Sequence, residues 1–292
     1  MSFRLEMLQV ARLAPDLLGE ATPLVAEFFR SQFQADGGVR DRAGRSDLYY
    51  TLFGIEGLMA LREEPAWAGI REFLTSFGDG QHLDFVHLCA LLRCWSAGGG
   101  SDPAVREQLG NRVLNYVTPD GGFHQRPGSE RCSAYGCLLG WSALGDAGFP
   151  APDGTRLAAC LASLRAQDGG YANEPGLPFG TTTATAAAVA LHRHLRVTPP
   201  AELGGWLLSQ VSPEGGFKAF ALAPMPDLLS TAVALHALDG LQTDYRPYKE
   251  MCLDYIDTLW SAEGGFHGNW SDDVLDCEYT YYGLLALGHL SL

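Results

Sequence analysis

Residues 214–217 read Glu214-Gly215-Gly216-Phe217, an acidic residue followed by two glycines and an apolar residue. Four further copies of this pattern occur: Asp36-Gly37-Gly38-Val39, Asp120-Gly121-Gly122-Phe123, Asp168-Gly169-Gly170-Tyr171 and Glu263-Gly264-Gly265-Phe266. The copies that begin at 120, 168, 214 and 263 lie 46–49 residues apart, and the interval from 36 to 120 is 84 residues, close to two such periods. We therefore expect a degenerate copy near Gly78-Asp79-Gly80, and six repeats in all.

Each glycine pair separates two different kinds of apolar stretch. The stretch before residues 169–170 is amphipathic (DGTRLAACLASLRAQ), whereas the one after it is apolar on nearly every side (TATAAAVALHRHL). A helix that is apolar all round is buried, an amphipathic helix faces solvent, and glycines permit the tight turn between them. The sequence thus predicts an all-α fold with one domain over residues 1–292. In this α/α toroid, hairpins that turn near 37, 79, 121, 169, 215 and 264 would form two concentric rings around a central cavity.

Three of the apolar stretches begin with an aspartate that is followed four residues later by a threonine. These pairs are Asp47 and Thr51, Asp227 and Thr231, and Asp276 and Thr280. Aspartate is a favoured N-cap and complements the helix dipole, which is one interpretation of the pattern. The other is a site, because a closed ring gathers the starts of all inner helices at one end of the cavity. The sequence leaves both interpretations open.

The glycine-pair turns and the stretches after them resemble the repeat of prenyltransferases and squalene cyclases. The stretches that carry this resemblance are DLYYTLFGIEGL, CSAYGCLLGWSALG and DCEYTYYGLLALG, and it extends from about residue 30 to the C-terminus. The resemblance implies an α/α toroid. It also implies isoprenoid chemistry, although one fold supports several activities.

The residues that carry catalysis in this family are largely replaced. Protein prenyltransferases resembling this chain hold zinc with Asp-x-Cys and a histidine, whereas the matching positions here are Asp227, Leu229 and Tyr279. Leucine cannot bind zinc. The Asp-x-Asp-Asp-Thr-Ala motif of terpene cyclases corresponds to residues 227–232, where both inner carboxylates are absent. The loop 219–226 also lacks the basic residues that would hold a diphosphate, and Lys218 alone lies close.

The polar residues that remain at the starts of the inner helices define the predicted site. We expect catalytic groups at Asp227, Asp276, Cys277 and Glu278. We expect ligand contacts from Asp47, Cys132 and His267, and cavity walls from Tyr49, Trp141, Tyr279 and Tyr282. The acidic run at 272–278 suits zinc or magnesium, but we favour its interpretation as a solvated loop that caps a helix, so the metal and its ligands stay unknown. His192, His236 and His289 favour a structural role at helix C-termini.

The charge, the apolar runs and the cysteines of the sequence narrow the range of partners and cellular locations. A formal net charge of −14 without clustered Lys and Arg argues against nucleic acid, and no run is apolar for long enough to span a membrane. Seven cysteines scattered through apolar stretches predict buried thiols rather than a disulfide framework, and hence a cytoplasmic protein. The expected ligand is an isoprenoid or another hydrophobic small molecule, with a helical partner subunit as a further candidate. The function predicted first is a divergent prenyltransferase-like enzyme, and the alternatives are a terpene cyclase-like enzyme and a non-catalytic binding protein.

Overall fold

Six buried helices form an inner ring in the computed structural model, which describes residues 2–98, 102–150 and 152–292. Neighbouring inner helices contact one another around the whole ring, and the last helix also contacts the first. The ring is therefore closed, and the predicted all-α toroid is confirmed. Its members are α4 (Leu48–Ala60), α6 (Phe85–Ala97), α8 (Ala134–Asp146), α10 (Thr182–His194), α12 (Leu228–Gly240) and α14 (Cys277–Leu290).

An outer helix precedes each inner helix in the chain. Most of these helices bury one face only, as their amphipathic sequences predict. The outer helices are α3 (Thr22–Ser31), α5 (Trp67–Thr75), α7 (Pro103–Leu114), α9 (Gly154–Ala162), α11 (Leu203–Leu208) and α13 (Lys249–Asp257). Two short antiparallel hairpins, β1 (Val39–Arg40) with β2 (Ser46–Asp47) and β3 (Phe217–Lys218) with β4 (Pro226–Asp227), lie in the connections of the first and fifth repeats.

The first glycine of each pair has a positive φ, and at most of these positions a Cβ would also collide with a neighbouring outer helix. Gly215 has φ of 88°, and a Cβ there would lie 2.1 Å from the carbonyl oxygen of Met251 in the next outer helix. Gly264 of the last repeat has φ of 90° and would place a Cβ 2.5 Å from the carbonyl oxygen of Leu24 in α3. The last turn therefore packs against the first outer helix, which closes the outer ring as well.

A buried hydrogen bond ties each glycine-pair turn to the inner helix that follows it. The backbone N–H of Phe217 donates to Thr231 Oγ1 at 2.9 Å, and the N–H of Tyr171 donates to Thr185 Oγ1 at 2.9 Å. Thr51 and Thr280 accept the equivalent bonds in the first and last repeats. In the third repeat, the thiol of Cys137 takes this role for the N–H of Phe123.

The N-terminal helix α1 (Phe3–Ala11) covers the end of the ring where the inner helices finish, and α2 (Pro15–Leu18) leads from it to α3. Phe3 stacks on His194 with ring centroids 3.6 Å apart, and a Cβ at Gly288 would meet the carbonyl oxygen of Val10. We call this the lower end of the ring, and the end where the inner helices begin the upper end.

The cysteines depart in part from the prediction. Five are buried free thiols, as expected, but Cys132 and Cys160 form a disulfide that joins the start of α8 to outer helix α9. The expectation of unpaired thiols throughout is therefore wrong for this pair, because the fold places the outer helix of the fourth repeat beside the start of the inner helix of the third and brings two residues 28 positions apart together. No helix in the described ranges is long and apolar enough to cross a bilayer.

We expect Thr231→Val to lower the free energy of unfolding by about 1–3 kcal/mol, because the buried N–H of Phe217 would lose its acceptor while the side-chain volume stays similar. Thr231→Ser keeps the hydroxyl and is the matched control. Chemical denaturation of both variants measures the difference. Equal stability of the two would show that the hydrogen bond to the turn does not hold the repeat together.

Candidate active site in the central cavity

Residues of all six inner helices and of α1 line a cavity inside the inner ring. Its wall is aromatic on α4 and α14, where Phe53 lies 5.0 Å from Tyr49 and 5.5 Å from Tyr282, measured between ring centroids. The opposite wall on α10 consists of Ala186, Ala187 and Ala190. These small side chains leave the space that a ligand would occupy, while the aromatic rings offer π faces to it.

A hydrogen-bonded tyrosine–glutamate pair lies at the upper end of the cavity. Tyr49, which lines the cavity, donates its hydroxyl proton to Glu278 Oε1 at 2.6 Å. Burial raises the pKa of Glu278 to about 7, although the hydrogen bond from Tyr49 opposes the shift. A carboxyl group with a pKa near neutrality is suited to give or take a proton at physiological pH.

Four charged side chains lie at or beside the lower end of the cavity. Arg4 of α1 approaches Glu56 of α4, with 3.4 Å between Nη1 and Oε1, and Arg93 of α6 donates from Nε to Asp146 Oδ2 at 2.9 Å. Arg4, Glu56 and Arg93 line the cavity, together with His236. Burial raises the pKa of Glu56 to about 7, against the opposing effect of the two arginines. The cavity is therefore apolar in the middle and polar at both ends.

The structure brings only some of the predicted site residues to the cavity. Tyr49 and Tyr282 line it, and Glu278 stands behind Tyr49. Asp227 and Asp276 are N-caps, which accept the backbone N–H of Ser230 and Tyr279. Asp47 is also an N-cap, and its second oxygen lies 2.9 Å from His87 Nε2. All three aspartates therefore act as N-caps, and Asp47 and Asp276 each use the second oxygen for a further contact, with His87 and Arg42 respectively.

The other predicted residues do not line the cavity. Cys132 is 1% exposed and bonded to Cys160, which leaves it no free thiol for a ligand, and Cys277 is buried with its pKa raised by burial. Trp141 projects outward, because a Cβ on Gly154 of α9 would lie 3.8 Å from its ring.

Tyr279 and His267 lie at the upper end but do not line the cavity: Tyr279 belongs to the first turn of α14, and His267 to a loop. The guanidinium of Arg42 lies 5.1 Å from the ring centroid of Tyr279. His267 belongs to the last glycine-pair turn, where its backbone N–H donates to Leu259 and its buried Nδ1 has no partner. Helical spacing showed that such residues were near the inner ring, but not which of them faced the centre.

The acidic run at the start of α14 is held by an arginine. Arg42, from the loop between β1 and β2, donates from Nε to Asp276 at 2.7 Å and makes a two-pronged contact with Asp272. The positions that match the family's zinc ligands do not fit zinc either, because Leu229 offers no ligand atom and Asp227 is occupied as a cap. Within the described ranges, one group of three residues has metal-ligand spacing, Cys132, Cys137 and Cys160, and the disulfide uses two of them.

Sequence reasoning missed the charged residues of the lower end and gave His236 a structural role only. Glu56 and Arg93 each interrupt a helix that is otherwise apolar, in the stretches FGIEGL and LLRCW. A charge in a fully buried helix must find a partner or line a polar cavity, so this interruption was the available signal. Arg4 could not be recognised in this way, because it belongs to an amphipathic helix, in which a charged residue is expected on the solvent-facing side.

We expect Glu278→Gln to change stability in a pH-dependent way. Because the pKa of Glu278 is raised from 4.5 to about 7 in the folded protein, its contribution to stability is present at low pH and is lost as the pH rises through 7. The variant should therefore gain about 2 to 3 kcal/mol relative to the wild type between about pH 5 and about pH 8.

Thermal and chemical unfolding across this range measure the effect. Glu250→Gln, on the exposed face of α13, is the control. A difference between Glu278→Gln and wild type that stays constant with pH would contradict the raised pKa.

Comparison with known proteins finds relatives in sequence and in fold. Two curated relatives are drimenyl diphosphate synthases. The protein from Streptomyces showdoensis is 31% identical over 199 residues, or 63% of this chain and 35% of that protein. The protein from Streptantibioticus cattleyicolor is 28% identical over 239 residues, or 75% of this chain and 41% of that protein. This chain therefore spans less than half the length of these relatives.

Solved structures share the fold at low sequence identity. The type II terpene cyclase MstE from Scytonema, in complex with geranylgeranyl dihydroxybenzoate, superposes with a TM-score of 0.63 at 13% identity, over 95% of this chain and 97% of that one. Candida albicans protein geranylgeranyltransferase-I, complexed with GGPP, has a TM-score of 0.52 at 15% identity, over 98% of this chain and 82% of that one. A sequence profile described as the prenyltransferase alpha-alpha toroid domain matches residues 20–87 and 187–291, more than half of the chain. The chain belongs to the prenyltransferase alpha-alpha toroid domain family.

Proposed function

We propose that this protein is an isoprenoid-handling enzyme that works by proton transfer in its central cavity, in the manner of a terpene cyclase. One observation carries the proposal: at the upper end of an apolar, aromatic-walled cavity, the cavity-lining Tyr49 donates its hydroxyl hydrogen bond, at 2.6 Å, to Glu278, a carboxyl group whose pKa is raised to about 7. Such a group exchanges a proton near neutral pH.

The walls suit the intermediates of this chemistry. Protonation of an alkene produces a carbocation, and the π faces of aromatic rings stabilise cations. One continuous cluster of aromatic rings lies beside the cavity, with Phe53 at its centre. The ring centroids of Tyr49, Tyr281 and Tyr282 lie 5.0–5.7 Å from the ring centroid of Phe53. The scarcity of water in an apolar cavity would protect such a cation from capture.

Proton transfer fits the upper end better than release of a diphosphate. Loss of diphosphate needs cations or a metal to stabilise the leaving group. The upper end instead carries carboxylates, since four of the inner helices begin with an aspartate: Asp47, Asp84, Asp227 and Asp276. Arg42, a cation at this end, is already paired with Asp272 and Asp276. This argument favours the cyclase-like alternative over prenyl transfer.

The relatives support the same class of substrate. Drimenyl diphosphate synthases and a type II terpene cyclase that holds a geranylgeranyl compound are among them. A helical partner subunit, a cytoplasmic location and catalytic roles for Asp227, Asp276 and Cys277 stay predictions. A non-catalytic protein that binds a hydrophobic ligand is the second candidate, and the absence of the family's catalytic motifs favours it.

Incubation with farnesyl or geranylgeranyl diphosphate in D₂O tests the proposal. We expect an isomeric product that carries deuterium and retains its diphosphate, detected by mass spectrometry. Glu278→Gln should lower the rate by about 10²–10⁴, the usual contribution of a proton-transfer group, and Glu250→Gln should not. Release of diphosphate would indicate prenyl-transfer chemistry. Saturable binding of either diphosphate without turnover would leave a binding protein.

A further inference from the structure

We propose that Glu56 is the proton donor of this reaction, at the lower end of the cavity, and that Glu278 at the upper end accepts a proton through the hydroxyl group of Tyr49. The inference rests on the proposed function and extends it by dividing the two proton transfers between two carboxyl groups. It assigns catalysis to a residue that lies far from the family's motif positions, in the middle of α4.

The contacts of Glu56 are those of a carboxylic acid rather than of a well-paired carboxylate. Its side chain is 4% exposed and lines the cavity. Oε1 has one long contact, 3.4 Å from Arg4 Nη1, and the buried Oε2 has no hydrogen-bond partner. An ionised oxygen without a partner in an apolar cavity is costly, whereas a protonated one can lie against an alkene at little cost.

The charges around Glu56 come from four elements. Arg4 of α1 and Arg93 of α6 are the cations, Asp146 of α8 is the second carboxylate, and Tyr281 of α14 lies among them. Arg93 is already committed to Asp146, with 2.9 Å between Nε and Oδ2. Arg4 is therefore the group that can tighten onto Glu56 as its proton leaves, which would stabilise the carboxylate that forms.

Glu278 has the contacts of an acceptor. Its Oε1 receives the hydroxyl proton of Tyr49 at 2.6 Å, a hydrogen bond that stabilises the ionised form. Asp227 and Asp276 are engaged as helix caps, and the second oxygen of Asp276 also binds Arg42. Glu56 lines the cavity at its lower end, and Glu278 lies behind the cavity-lining Tyr49 at its upper end, so the two form a complementary donor and acceptor pair.

The proposed steps balance in atoms and electrons. The O–H bond of Glu56 breaks while the π electrons of an alkene form a C–H bond to its less substituted carbon, which leaves a tertiary carbocation. A second alkene in the same molecule closes a C–C bond onto that cation. A carbon next to the new cation then loses a proton to Tyr49 Oη as Tyr49 passes its own hydroxyl proton to the Glu278 carboxylate, and a C=C bond forms. The product is an isomer of the substrate, and exchange with solvent returns the proton to Glu56.

Glu56→Gln, assayed with farnesyl and geranylgeranyl diphosphate, tests the assignment. We expect a loss of about 10²–10⁴ in turnover with unchanged affinity for the diphosphate, because glutamine keeps the shape but cannot supply the proton. Glu64→Gln, an exposed glutamate just beyond α4, is the matched control and should retain full activity. Turnover by Glu56→Gln at the wild-type rate would overturn the assignment while leaving the proposed function intact.

Two further measurements do not depend on the loss of activity alone. In infrared difference spectra between acid and alkaline pH, the wild type should show a carboxylic-acid carbonyl band that disappears as the pH rises through about 7, and Glu56→Gln should lack the part of the band due to this residue. Arg4→Met keeps the apolar stem and should move the alkaline limb of the pH–rate profile to higher pH, because Arg4 lowers the pKa of Glu56.

The outcomes separate the two proposals. A wild type that converts neither diphosphate refutes the proposed function and the role of Glu56 with it. A wild type that is active, with an infrared band unchanged in Glu56→Gln or a pH profile unchanged in Arg4→Met, refutes the role of Glu56 only.

Discussion

The structure depends on the hydrogen bond from the backbone N–H that follows each glycine pair to a side chain in the first turn of the next inner helix. A glycine-pair turn exposes a backbone donor deep in the protein, and an unpaired donor there would cost more than the bond contributes on average. Threonine satisfies it in four repeats and Cys137 in the third. Because each bond sets the position of one inner helix relative to its turn, repetition of the bond produces a ring rather than a loose stack.

The ring places the starts of all inner helices at one end and their last turns at the other, and the two ends differ in their electrostatics. At the upper end, aspartates cap helices and Arg42 joins the first repeat to the last. At the lower end, α1 brings Arg4 to Glu56 and Glu6 to Arg193 and His194. The cavity between them is hollow because α10 lines it with alanines, and it is bounded by aromatic rings on the opposite side. Charges at its ends are therefore partly or fully desolvated, which is the condition under which carboxyl pKa values rise towards neutrality.

Some features of the site followed from the sequence and others did not. The aspartates before the inner helices were recognisable as N-caps, and Tyr49 and Tyr282 were expected to line the cavity, as they do. Helical spacing could not separate Trp141, which packs outward, from residues that point inward, because a buried helix in a double ring is apolar on both faces. Cysteine spacing likewise gave no reason to join Cys132 to Cys160, since that pair bridges an inner helix and the outer helix of the next repeat.

The sequence by itself determined the repeat, the alternation of buried and amphipathic helices, and hence the closed toroid, because these are local patterns that recur in every repeat. Only the tertiary structure decided which charges meet. Arg42 binds Asp276 across 234 positions, Tyr49 binds Glu278 across 229, and Arg4 reaches Glu56 across 52. Periodicity specifies which face of a helix is buried, but the partner of a buried charge depends on the rotation and height of another helix in the ring. Those are set by packing and closure over the whole chain, which no short stretch of sequence contains.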